Sequence, residues 1–158
     1  MKPRLTDRFP YRSNFARRYW LSALSLFAVY ITNAHACWEE AATRYGVNPI
    51  ILVAIARTES SMNPNAVNKN RDGSYDLGLM QINSRWFPML RKYGINEQQL
   101  RQPCVSIHVG AWILAQNMQR FGNSWEAVGA YNSSHPLKRT AYAERVYRNL
   151  QRVTRETR

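Results

Sequence analysis

Glu59 closes a run of apolar residues, Ile50-Ile51-Leu52-Val53-Ala54-Ile55-Ala56, that reads as a helix buried on most of its circumference. A carboxylate at that end faces the negative pole of the helix dipole and loses hydration. Both effects raise its pKa toward that of a general acid. The competing reading is a surface glutamate in the last turn, paired with Arg57 or another cation. Two later segments bear on the choice. Gly78-Leu79-Met80-Gln81-Ile82-Asn83 places two amides in one short stretch, and amides both donate and accept hydrogen bonds, as sugar hydroxyls require. A short buried strand is the alternative there. Ala130-Tyr131-Asn132 ends a further helix, where the Tyr131 phenol either donates to Glu59 and orients it or simply caps the core. An acid between two such walls suits cleavage of a glycosidic bond in a cleft that holds a sugar chain.

A hydrolase built on two carboxylates needs a second one across the bond. Beyond residue 36 the only aspartates are Asp72 and Asp76, both ahead of the 78–83 segment, and Asp76 is the candidate helper. Metal chemistry is not expected. Asn68-x-Asn70-x-Asp72-Gly73 imitates the start of a calcium loop, but its twelfth position is Leu79, where a bidentate glutamate is needed. His108 lies on an apolar helix side, with only His135 for company beyond residue 36, so no zinc spacing exists. No cofactor motif is present either.

The elements that must position these residues are almost all helical. Residues 38–45 form a short helix stopped by Gly46. Asn48-Pro49 then supplies an N-cap and a first-turn proline for a helix over 49–60, which should be central. Residues 62–78 are loop, with Arg71-Asp72-Gly73-Ser74 at the tip of a small hairpin. Residues 79–82 are an extended piece. Ser84 caps a helix that runs to Tyr93, irregular near Pro88 and stopped by Gly94. Further helices cover 105–121, from Ser124 to Tyr131, and 139–155, the last strongly basic. No repeat or linker divides the chain, so the fold class is mainly α with a small hairpin and loop region.

The N-terminus reads as an export signal. Lys2, Arg4, Arg8, Arg12, Arg17 and Arg18 precede an apolar stretch from 21 to 31, and Ala34-His35-Ala36 is a cleavage pattern. Residues 1–36 are then a leader and 37–158 the domain. An uncleaved anchor is the alternative, although the stretch is short of the ~20 residues a membrane helix needs. Removing 36 of 158 residues takes the net charge from +12 to +7, since the leader holds six basic residues and one acidic. In an exported protein such charge points to envelope polyanions such as the cell wall rather than to nucleic acid. The two cysteines, Cys37 and Cys104, are expected to pair after export.

The motifs, in order, resemble those of a known family. Glu59-Ser60, the Gly78 to Asn83 segment and Ala130-Tyr131-Asn132 look like the three signatures of lytic transglycosylases with a goose-lysozyme-like domain. The stretches 125–132 and 70–76 and the cysteine pair resemble its small exported branch, which accompanies secretion systems, conjugation, pili and invasion. The resemblance implies a lysozyme-like helical domain, periplasmic location and peptidoglycan glycan strands as substrate. It implies cleavage between N-acetylmuramic acid and N-acetylglucosamine without water, giving a 1,6-anhydro sugar, with no second carboxylate required. Carried over by position, Glu59 is the acid and base, and Ser60, Met80, Gln81, Asn83, Tyr131 and Asn132 line the site. It also implies contact with components of an envelope-spanning machine. One departure stands out: Ser133-Ser134 replaces the Ala-Gly that usually follows the third signature, which reshapes the cleft rim. Two rival functions remain, a lysozyme-type hydrolase of the same fold and a non-enzymatic wall-binding protein.

Overall fold

The structure, a computed structural model, describes residues 29–156, with side chains from residue 36 onward. The basic n-region and residues 21–28 of the apolar stretch therefore lie outside the described residues. Helix α1 spans Val29–Tyr45, not only 38–45. No glycine or proline interrupts that span, so nothing in it ends the helix before Gly46. No helix among the described residues is long and apolar enough to cross a membrane.

Helix α2 (Pro49–Ser60) begins as expected. The Asn48 side-chain oxygen accepts from the backbone N–H groups of Ile50 and Ile51, at 2.9 and 3.4 Å. After α2 comes a three-stranded antiparallel sheet in the order β1 (Val67–Lys69), β2 (Tyr75–Leu77), β3 (Ile82–Asn83). Val67 faces Leu77 and Leu77 faces Ile82; Leu77 and Ile82 are buried, whereas Val67 on the outer strand is exposed. Residues 70–74 close the hairpin as predicted. Asn70 N–H donates to the Ser74 carbonyl, and Asp72 accepts from the Ser74 backbone.

The 84–93 helix is corrected. A 3-10 turn covers Ser84–Trp86, capped by Asn83 rather than Ser84, and α3 runs only over Phe87–Arg91. Pro88 sits in the first turn of α3, where its missing N–H breaks no helical bond. A short α4 (Glu97–Leu100) with a full capping box was not anticipated.

Helix α5 (Pro103–Phe121) is the hub. It packs on α1, α2, α4 and β3, and also on α6 (Trp125–Ala130). Its buried residues, Ser106, Ile107, Val109, Gly110, Ala111, Ile113 and Leu114, cover most of its circumference, so centrality belongs to α5 together with α2. The last described element, α7 (Pro136–Glu156), lies across α2 and α6 and buries Tyr142, Ala143, Val146 and Val153. Cys37 of α1 and Cys104 of α5 form a disulfide that closes a 67-residue separation. The architecture is the lysozyme-like, mainly helical fold, with the small sheet forming one side of a cleft.

Candidate active site

Three consecutive residues in the last turn of α2 are each held by α7. Arg57 donates both terminal nitrogens to Glu156, at 3.0 and 2.5 Å. The Thr58 hydroxyl accepts from Asn149 Nδ2 at 2.9 Å. The Tyr142 hydroxyl donates to Glu59 Oε1 at 2.5 Å. Arg57 is thus committed elsewhere, which removes the surface ion pair first weighed for Glu59. Glu59 instead points into a cleft of about 650 Å³, where Asp76, Gln81, Asn83, Tyr131 and Asn132 also reach the lining.

Burial is the main force on Glu59 and pushes its pKa from the ordinary value up to about 7. The Tyr142 hydrogen bond opposes this by favouring the carboxylate. The nearby charge of Asp76 adds to the rise, and Arg145 pulls the other way. The carboxyl therefore titrates far closer to neutral pH than an ordinary glutamate. It can give a proton and take one back.

The orienting phenol is Tyr142, and this corrects the expectation for Tyr131. The Tyr131 hydroxyl donates to the Met80 carbonyl at 3.0 Å. Burial, with the charges of Glu59 and Asp76, holds its pKa well above the usual phenol value. Tyr142 is 1% exposed and raised likewise, by burial first and Glu59 second. Both remain neutral donors.

Met80 is fully buried and does not line the cleft. Its backbone N–H donates to Ser106 Oγ at 3.0 Å, and its side chain rests on Gly110. A methyl group added at Gly110 would sit 2.7 Å from Met80 Cε and 2.9 Å from the Tyr131 hydroxyl. Ser60 is absent from the lining too; its hydroxyl donates to the Leu79 carbonyl at 2.7 Å and ties α2 to the 78–83 turn. These two residues build the floor on which the cleft stands.

Gly78 and Gln81 shape that turn. Gly78 has φ +81°, and a side chain there would meet the Leu100 carbonyl at 2.5 Å. Gln81 adopts φ +48°, rare for a residue with a side chain, and its Nε2 donates to the carbonyls of Ala66 and Gly78. The fixed amide leaves Oε1 as its acceptor toward the cleft. Asn83 is likewise occupied: its Nδ2 donates to Asp76 Oδ1 at 2.7 Å and its Oδ1 caps the 3-10 turn. Asn70 Nδ2 donates to the other Asp76 oxygen at 3.0 Å. Asp76 is therefore gripped by two amides within the same cleft as Glu59. Asn132 stands exposed on the opposite wall beside Ser133 and Ser134.

A helical domain of lysozyme type, with a partly buried, proton-holding carboxyl at the end of a core helix in its cleft, defines a class of glycan-cleaving proteins. Comparison with known proteins agrees. The transglycosylase SLT domain family matches residues 36–149. The chain is 48% identical over 122 residues to invasion protein IagB of Salmonella typhimurium, covering 74% of this chain and 76% of that protein. It is 44% identical over 126 residues to protein IpgF of Shigella flexneri, covering 77% and 83%. A peptidoglycan-binding-like protein of Escherichia coli O157:H7 is 38% identical over 124 residues, covering 71% and 74%. Among solved structures, an inactive mutant of lytic transglycosylase Slt from Pseudomonas aeruginosa superposes with a TM-score of 0.63 at 24% identity. That match covers 78% of this chain but only 24% of the larger protein. The chain belongs to the SLT transglycosylase family and is, by that membership, a peptidoglycan lytic transglycosylase.

Tyr142 is the functional residue that sequence reasoning missed. The 139–155 segment reads as a basic helix, and its charges hide the signal. Tyr142 lies on the same buried face as Val146 and Val153 and is the one phenol there. A phenol on an otherwise aliphatic face needs a partner for its hydroxyl.

Proposed function

We propose that the protein is exported to the periplasm and cuts the β-1,4 bond between N-acetylmuramic acid and N-acetylglucosamine. The product carries a 1,6-anhydro ring, and the cut opens the wall locally for a secretion, conjugation or pilus apparatus. The observation that carries the reading is Glu59, buried beside Tyr142 with a pKa of about 7.

Protonated Glu59 gives its proton to the bridging oxygen as the bond to the anomeric carbon breaks, and the sugar's N-acetyl group assists departure. The resulting Glu59 carboxylate takes the proton of the C6 hydroxyl. The C6 oxygen closes on the anomeric carbon, and Glu59 ends protonated, as it began. No water is consumed. One group performs both transfers, so a pKa near the working pH serves each half. Tyr142 holds the acid in place throughout. The export signal pattern supports the location, and the disulfide fits an oxidising compartment. The names of the invasion-associated relatives support the link to an apparatus.

Asp76 favours a second reading. Its carboxylate shares the cleft, is clamped by Asn70 and Asn83, and its charge is felt at Glu59. A clamped carboxylate opposite an acid is what a lysozyme-type hydrolase uses to support the sugar cation. Mass spectrometry of a peptidoglycan digest separates the two. Anhydro products one water lighter than reducing ends support the lyase, and reducing ends alone assign hydrolysis. Purified protein that leaves suspended walls intact would reduce it to a wall-binding protein.

A further inference from the structure

Helix α7 carries a row of cations that the cleavage chemistry does not use. Lys138, Arg145, Arg148, Arg152 and Arg155 are spaced by seven, three, four and three residues and are all exposed. That spacing keeps them on one face for about five turns, roughly 26 Å. Ala141 is the one apolar member of the row. Three cations outside the row are ion-paired, Arg57 with Glu156, Arg85 with Asp72 and Arg139 with Glu126, and the unpaired ones outside it, such as Lys69, Arg91 and Arg120, are scattered over other elements. Among the described residues, none of the five has a carboxylate at ion-pair distance. Glu156, which neighbours Arg152, is held by Arg57, and Arg145 lies over the Tyr142 ring at 5.3 Å. Like charges three and four residues apart destabilise a helix. The row is kept at that cost.

The row starts at the cleft. Lys138 lines it, and the charge of Arg145 reaches Glu59. We propose that this face of α7 is a track for the stem-peptide carboxylates of peptidoglycan, holding the polymer beyond the cleft while Glu59 acts. The proposal rests on the reading of the cleft as a peptidoglycan site. A glycan strand is longer than any cleft of this size, and its peptide stems carry repeated free carboxylates. A regular row of cations leading away from the cut site complements that repeat. A bilayer surface is less well matched. An interfacial helix needs a broad exposed apolar face, and α7 buries Tyr142, Ala143, Val146 and Val153 in the core, leaving only Leu137 and Tyr147 as large exposed apolar side chains.

The test uses Glu59→Gln protein, which cannot digest its ligand, sedimented with insoluble sacculi. The same is done with sacculi stripped of stems by an amidase. Arg148→Gln/Arg152→Gln/Arg155→Gln is compared in that background; these positions lie outside the cleft lining. Exposed pairs contribute little singly, so three together should weaken binding to intact sacculi roughly tenfold at low salt, and less at high salt. Binding to stripped sacculi should be weak and equal for both proteins, and the triple lysine variant should restore the loss. With Glu59 intact, the triple glutamine variant should cleave short soluble fragments at the parental rate. Unchanged sedimentation with intact sacculi overturns the proposal, as does an equal loss on stripped sacculi. Loss confined to phosphatidylglycerol vesicles assigns the row to a membrane instead. Because sedimentation needs no turnover, a protein that fails to cut walls overturns the cleavage reading without touching this result.

Discussion

The Tyr142 hydroxyl and the Glu59 carboxyl meet at 2.5 Å across the junction of α7 and α2. Two effects therefore compete at Glu59. Burial drives it toward the neutral acid, and the phenol favours the anion. The balance places the group near pH 7 rather than higher.

Glu59→Gln should abolish turnover while keeping the shape of the site. Loss of general acid and base action is worth about 10²–10⁴-fold, and more when both halves use the same group. The variant should also be the more stable protein at alkaline pH. A raised carboxyl pKa means that the folded state holds its proton where the unfolded chain has released it. Wild-type stability thus falls as pH climbs from about 4.5 to about 7, by as much as about 3 kcal/mol, and is flat above. Melting curves of both proteins from pH 4 to 9 should diverge across that window; parallel curves would show Glu59 to be solvated.

Tyr142→Phe and Tyr131→Phe should behave differently. Removing the Tyr142 hydroxyl withdraws the group that lowers the Glu59 pKa. The alkaline limb of the pH-rate profile should then move to higher pH while the maximal rate falls. Tyr131→Phe should leave the limb in place and cost about 1 kcal/mol of stability, because it strands the Met80 carbonyl. A limb that moves only for Tyr131→Phe would reverse the assignment.

Asp76→Asn tests the second carboxylate. It keeps the size of the side chain but removes a charge that raises the Glu59 pKa, so the alkaline limb should shift to lower pH. If cleavage is a lyase reaction, the anhydro product should persist at reduced rate. Disappearance of all product, with fold intact by circular dichroism, would make Asp76 a direct participant.

Gly110→Ala should damage the floor of the cleft. The added methyl meets Met80 and the Tyr131 hydroxyl inside 3 Å, and overpacking of this kind costs about 1–3 kcal/mol. Thermal melting should show the loss, and a Met80→Ala partner substitution should recover part of it. An unchanged melting temperature for Gly110→Ala would mean that the floor is loosely packed.

Replacing Cys37 and Cys104 with serine should destabilise the protein by up to about 4 kcal/mol, from the chain entropy of a loop of 67 residues. Denaturant titration checks it. Equal midpoints for the oxidised parent and the serine variant would show that the bridge constrains nothing.

What the sequence revealed followed from local rules. Asn48-Pro49 marks the start of α2, and an apolar helix leading into a glutamate marks the acid. Arg71-Asp72-Gly73-Ser74 marks the hairpin tip, and two cysteines behind a sequence pattern that reads as an export signal mark the bridge. What stayed hidden depended on tertiary placement. Met80 and Ser60 belong to signature segments, yet Met80 lies buried within the turn between Gly78 and Gln81, and Ser60, at the end of α2, spends its hydroxyl on the Leu79 carbonyl. Asn83 reads as a sugar-binding amide, but in the fold its nitrogen is spent on Asp76 and Ser74. Tyr142 stands 83 residues from Glu59, and no spacing rule links residues so far apart.

The stitching of Arg57, Thr58 and Glu59 to Glu156, Asn149 and Tyr142 also orders events in time. A ribosome delivers α2 long before it delivers α7. Until residues 142–156 have emerged, the last turn of α2 has no brace and Glu59 no phenol beside it. A partly made chain therefore carries its acid unbraced, and the brace arrives only with the last described helix.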